Sequence, residues 1–149
     1  MANYGTIAGG DTYFGERLKS EVWEDAIPGD RTKALIMATR VIEKLNFAGV
    51  KYGGDDQEAQ FPRGNDTTVP TDIVYATYEC AIAFLDDIDM ELEQESLGVV
   101  SDAYSGSRTT YDAGFIKDHI RAGIPSSQAW DYLLPYLRDP REVTLSRVS

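Results

Sequence analysis

The chain has 149 residues, the length of one domain with a core of its own, and its 42% hydrophobic content is too apolar for a disordered protein. It carries 14 Lys plus Arg against 25 Asp plus Glu, a net charge of −11. A chain this acidic is expected to repel a phosphate backbone, because nucleic-acid affinity comes from basic side chains that displace counterions, and to avoid anionic membrane surfaces.

From the N-terminus, no basic region and no apolar run precede Ala8-Gly9-Gly10, so no signal peptide is expected and the protein is read as intracellular at synthesis. Asp11 is a good N-cap residue, and Tyr13, Phe14, Leu18 and Val22 follow at helical spacing, which predicts a short helix over about 11–19 with Trp23 beyond it. Ile27-Pro28-Gly29 marks a break and Asp30 a second cap. From Arg31 to about Asn46 the spacing of Ala34, Leu35, Ala38, Val41, Ile42 and Leu45 predicts a long helix, with Gly49 as its terminator.

Residues 48–69 form a long polar connection, either functional or folded as an excursion, in which Phe61-Pro62-Arg63 stands out. Pro70 and Asp72 suit the first turn of a second long helix over about 70–86, with Ile73, Thr77, Cys80, Phe84 and Ile88 on one face. An acidic run follows: Asp86, Asp87, Asp89, Glu91, Glu93 and Glu95 with no base among them. Val99, Val100, Tyr104 and Thr109 to Tyr111 flank Ser105-Gly106-Ser107, a pattern that suits a short β-hairpin. A helical pattern around Phe115, Ile116, His119 and Ile120 ends at Gly123, and a last short helix bears Trp130, Leu133 and Leu134. The final twelve residues, with Arg138, Arg141 and Arg147, read as an unpacked tail.

The fold class expected is therefore mainly α: a small helical bundle with two long central helices, a long loop, a short hairpin and a flexible tail, divided as 1–137 and 138–149. No catalytic constellation is legible. His119 lies in a helical pattern as a core-edge residue, and Cys80 sits among alanines as an inert thiol. The acids at 86–95, and Asp55, Asp56 and Glu58, lack the spacing of a calcium loop and read as solvated surface. Neither an enzyme nor a bound cofactor or metal is expected. The sixteen aromatic residues fall mostly on apolar helix faces with few cations beside them, which favours core or subunit packing over base stacking.

Several segments resemble those of a known family. They are Tyr4-Gly5-Thr6 leading to Asp11-Thr12-Tyr13-Phe14; Ala34 to Thr39; Phe61-Pro62-Arg63-Gly64; Val69-Pro70 followed by Ala76, Glu79, Cys80 and Ala81; Ser101-Asp102 through Gly106 to Tyr111; and Leu134-Pro135-Tyr136-Leu137. In this order they are similar to the small head–tail connector (adaptor) proteins of tailed bacteriophages, many of which carry the label DnaT-like single-stranded-DNA-binding protein.

The resemblance implies a virion neck protein, forming a ring of about twelve copies beneath the portal and extending the DNA channel to the next neck or tail protein. It implies that Arg138, Arg141 and Arg147 clasp the portal, and that Phe61, Pro62, Arg63, Tyr104 and Tyr111 meet neighbouring subunits. The run Asp86 to Glu95 would line the channel or the outer surface, letting double-stranded DNA pass without tight binding. The alternative is the literal label, a single-stranded-DNA-binding replication protein, which requires cations with interleaved aromatics.

Overall fold

The structure is a computed structural model and describes residues 3–86 and 118–138. Among these residues it is mainly helical: α1 (Ile7–Gly15), α2 (Glu21–Asp25), α3 (Pro28–Glu43), α4 (Thr71–Leu85), α5 (Asp118–Arg121) and α6 (Ser127–Leu133), with 3-10 turns at Gly54–Asp56 and Leu134–Tyr136. No described residue belongs to a β-strand; two isolated bridges, Phe47 with Leu137 and Lys51 with Arg63, are the extended pairings. The expected hairpin at 97–111, with Tyr104 and Tyr111, lies outside the described residues. So do Asp87, Asp89, Glu91, Glu93, Glu95, Arg141 and Arg147.

The two long helices are where periodicity places them. Helix α3 begins at Pro28, which needs no N–H partner in the first turn, so the proline read as a break is the helix start. It buries Ala34, Leu35, Ala38, Thr39 and Ile42 against α4. Helix α4 is buried on more than one face, from Ala76 through Ile82, because α3 covers one side and α6 another. Thr39 and Thr77 are buried hydroxyls, each donating to the carbonyl one turn back, Leu35 O and Ile73 O, at 2.9 Å. Cys80 is fully buried among these side chains, and burial pushes its thiol up, away from the reactive thiolate.

The first helix departs from expectation. It starts at Ile7 rather than near Asp11, because Thr6 is the N-cap and its hydroxyl accepts the Gly9 N–H at 3.0 Å. Gly9 and Gly10 are helical. A Cβ at Gly10 would lie 2.5 Å from Cζ2 of Trp23, so glycine here permits the indole to pack on the helix backbone. Asp11 caps nothing; its Oδ1 accepts the Trp23 indole N–H at 2.8 Å. Phe14 and Trp23, both 1% exposed, pack in a tilted pair at 4.9 Å between centroids and close this end of the core.

The chain returns through α6, which Ser126 caps by accepting the Ala129 N–H at 3.2 Å. Leu137 pairs with Phe47, and the Arg138 N–H donates to Asn46 O at 3.0 Å. Arg138 thus belongs to the packed body rather than to an unpacked tail; residues 139–149 lie outside the described residues. No described helix is long and apolar enough to cross a membrane.

Candidate nucleic-acid interface

The connection between α3 and α4 is folded, and its anchor is aromatic. Phe47 and Phe61 are buried and meet edge to face at 4.6 Å between centroids. Tyr4 and Tyr136 close on Phe61 from two sides, at 6.0 and 5.9 Å. The Tyr4 hydroxyl accepts the Phe61 N–H at 3.2 Å, and Tyr136 donates to Asp72 at 3.3 Å. The Phe61–Pro62 peptide is cis. Phe61 is therefore a core residue of this chain, not a surface offered to a neighbour.

Above that anchor the backbone is gathered by one side chain. The Arg63 guanidinium donates to Ala48 O at 2.9 Å, Phe47 O at 3.3 Å, Gln60 O at 3.3 Å, Gln60 Oε1 at 2.7 Å, and also to Gly49 O. Gly49 has φ +79°, a left-handed conformation that turns its carbonyl toward the arginine and suits glycine. The same carbonyl accepts from Arg138 Nη2 at 3.3 Å, so two guanidinium groups share one oxygen. The Tyr52 and Gly64 amides pair with Pro62 O and Val50 O at 3.0 and 2.8 Å. Lys51 reaches Gln57 O at 3.0 Å.

The result is a local group of three cations in an acidic chain. Lys51, Arg63 and Arg138 lie together, and among the described residues none of them has a carboxylate within salt-bridge distance. Burial, and after it the charge of Arg138, lowers the Arg63 guanidinium from its ordinary value. Val50 and Tyr52 stand out beside them, 72% and 56% exposed. A groove of about 410 Å³ lies between Val50, Lys51, Gln60 and Arg63, and Asp55 lines it as well. The arrangement supplies cations for phosphate and a phenol ring on which a base can stack.

Other sequence-selected residues do not converge on chemistry. Asp86 is exposed and closes α4 as its C-cap. Asp55 and Asp56 sit exposed on a 3-10 turn, and His119 is half-buried on α5. Among the described residues no group of three or more His, Cys, Asp or Glu side chains is placed to hold a metal ion.

Sequence reasoning missed Val50, Lys51 and Tyr52, although two apolar side chains flanking a lysine in a Gly/Asp-rich stretch were a signal. It also missed Glu79 as a buried acid. Glu79 is 2% exposed and accepts from Arg17 Nε at 2.9 Å, from Arg17 Nη2 at 3.0 Å and from the Tyr13 hydroxyl.

An α-helical scaffold whose long α3–α4 loop holds two half-buried cations and an exposed tyrosine, with a third half-buried cation brought to it from the end of the described chain, is the class these features define. The chain belongs to the family described as "Putative DnaT-like ssDNA binding protein", whose model matches residues 3–144. No curated protein and no solved structure matches it.

The family corrects the head–tail adaptor reading and its partners: its description names single-stranded DNA binding, not a ring that clasps a portal and passes double-stranded DNA without holding it. The physical reason lies in the use made of the net charge. Repulsion was inferred from −11 over the whole chain, whereas screening confines electrostatics to about 8–10 Å at moderate salt, so local grouping decides. Lys51, Arg63 and Arg138, distant in sequence, are such a group.

Proposed function

We propose that this protein binds single-stranded DNA through the face built on the 46–66 loop, as a binding protein and not an enzyme. The observation that carries the reading is the grouping of Lys51, Arg63 and Arg138 on a loop that also exposes Tyr52, with no carboxylate within salt-bridge distance of the three cations among the described residues. The family description supports the same class of ligand. Base stacking on Tyr52 tolerates any sequence, because every base has a π face, while the cations track the backbone. The net acidity of the rest of the chain disfavours a strand elsewhere on the surface.

The test is fluorescence anisotropy of a labelled oligothymidylate at low salt, with wild type and Tyr52→Ala compared. The reading expects saturable binding that the substitution weakens about tenfold or more, in line with the energy of one stacked base. Absence of binding by the wild type, or equal binding by both, contradicts it.

A further inference from the structure

Arg63 and Arg138 sit side by side but differ in what their guanidinium groups have left to donate. A guanidinium carries five N–H donors in a rigid fork. On Arg63 all five are engaged, Nε by Ala48 O, Nη1 by the two Gln60 oxygens, and Nη2 by Phe47 O and Gly49 O. A phosphate could approach Arg63 as a charge, but a direct hydrogen bond would have to displace one of these partners. Among the described residues Arg138 uses one side-chain donor, on Gly49 O, and Lys51 uses one, on Gln57 O.

Resting on the single-stranded-DNA reading above, we propose a division of labour within the face: Arg63 is its positioning residue, and Arg138 and Lys51 hold the phosphates. Carbonyls 47, 48 and 49 are consecutive, and three neighbouring carbonyls meet one side chain only if its donors diverge in a plane. An ammonium at the end of a lysine stem does not offer that geometry. With its carbonyls occupied, the loop keeps the Tyr52 N–H on Pro62 O and offers Gly49 O to Arg138. The two guanidinium groups repel each other across the Gly49 carbonyl, and a phosphate bound to the free donors of Arg138 relieves that repulsion.

Lysine substitution separates the two roles, since a phosphate contact tolerates a point charge and a fork does not. Hydrogen exchange of the Tyr52 and Gly64 amides reads the loop, and the amides of α4 report whether the rest of the chain is folded. Arg63→Lys is expected to speed exchange at both loop amides about tenfold or more, as loss of a charge-assisted hydrogen bond would, with α4 unchanged. It is also expected to weaken oligothymidylate binding while leaving the salt dependence as in wild type.

Arg138→Lys should keep both loop protection and affinity, whereas Arg138→Gln should lower affinity and flatten the salt dependence with the loop intact. Full protection and full affinity in Arg63→Lys overturn the assignment, as does a flattened salt dependence in that variant. If the wild type fails to bind while Arg63→Lys still opens the loop, the DNA reading and the phosphate roles fall and Arg63 remains the loop's organiser.

Discussion

Two arginines in this protein each engage all five guanidinium donors, and they leave opposite surfaces behind. Arg17, in the turn after α1, ties that turn to α4 and α6: it meets both oxygens of Glu79, the Gln128 side chain at 3.1 Å, and the carbonyls of Leu18 and Lys19 at 2.9 Å. Its charge is cancelled by a carboxylate that is 2% exposed. Arg63 hydrogen-bonds only neutral oxygens, so the same saturated geometry leaves its charge unpaired by direct contact, with Glu43 acting on it from beyond the Gln60 amide. A buried acid turns an arginine into packing; carbonyls turn it into a scaffold whose charge still reaches solvent. In a chain of net charge −11, that distinction decides where a local positive charge survives.

The largest effect expected is at the neutralised arginine. Arg17→Met leaves Glu79 buried without its cation and should cost about 3–5 kcal/mol by denaturant unfolding. Replacing Glu79 with Met in the same chain should recover much of that loss, a strong coupling in the double-mutant cycle. Additive losses would mean that the pair is not an electrostatic unit.

Arg63→Gln, at the other arginine, should cost less, about 1–3 kcal/mol, because the carbonyls it releases lie near water and can rehydrate. Its damage should be local, read as lost protection at the Tyr52 and Gly64 amides, which pair with Pro62 O and Val50 O. A global loss equal to that of Arg17→Met would erase the difference between the regions.

Smaller again is Tyr52→Ala. Its ring is 56% exposed, so the melting temperature should stay within the scatter of surface substitutions, about 0.5 kcal/mol, while oligothymidylate binding loses about 1–3 kcal/mol. Arg138→Gln should change least: a modest loss of affinity and a salt slope shallower by about 0.7, one phosphate contact on a single strand.

The helical frame was legible because its signals are local. Ala34, Leu35, Ala38 and Ile42 repeat at helical spacing and bury one face of α3, and the capping residue Ser126 announces α6. The start of α1 was hidden because Gly9 and Gly10 look like loop residues, and only contact with Tyr78 and Trp23 explains them. The loop was noticed through Phe61-Pro62-Arg63, but its architecture was not legible. Arg63 works on carbonyls 14 to 16 residues away, and Arg138 on one 89 residues away, distances that no periodicity encodes. Net charge misled for the same reason, since it sums over the chain what folding sorts in space.

The salt dependence of binding to a single-stranded oligothymidylate, measured beside a duplex of equal length, tests the proposed face most directly. With Arg138 and Lys51 as the phosphate contacts, the logarithm of the association constant should fall against the logarithm of salt with a slope of about −1.4, and the single strand should bind more tightly than the duplex. No binding at low salt, or tighter binding to the duplex, would contradict a single-strand face on this loop.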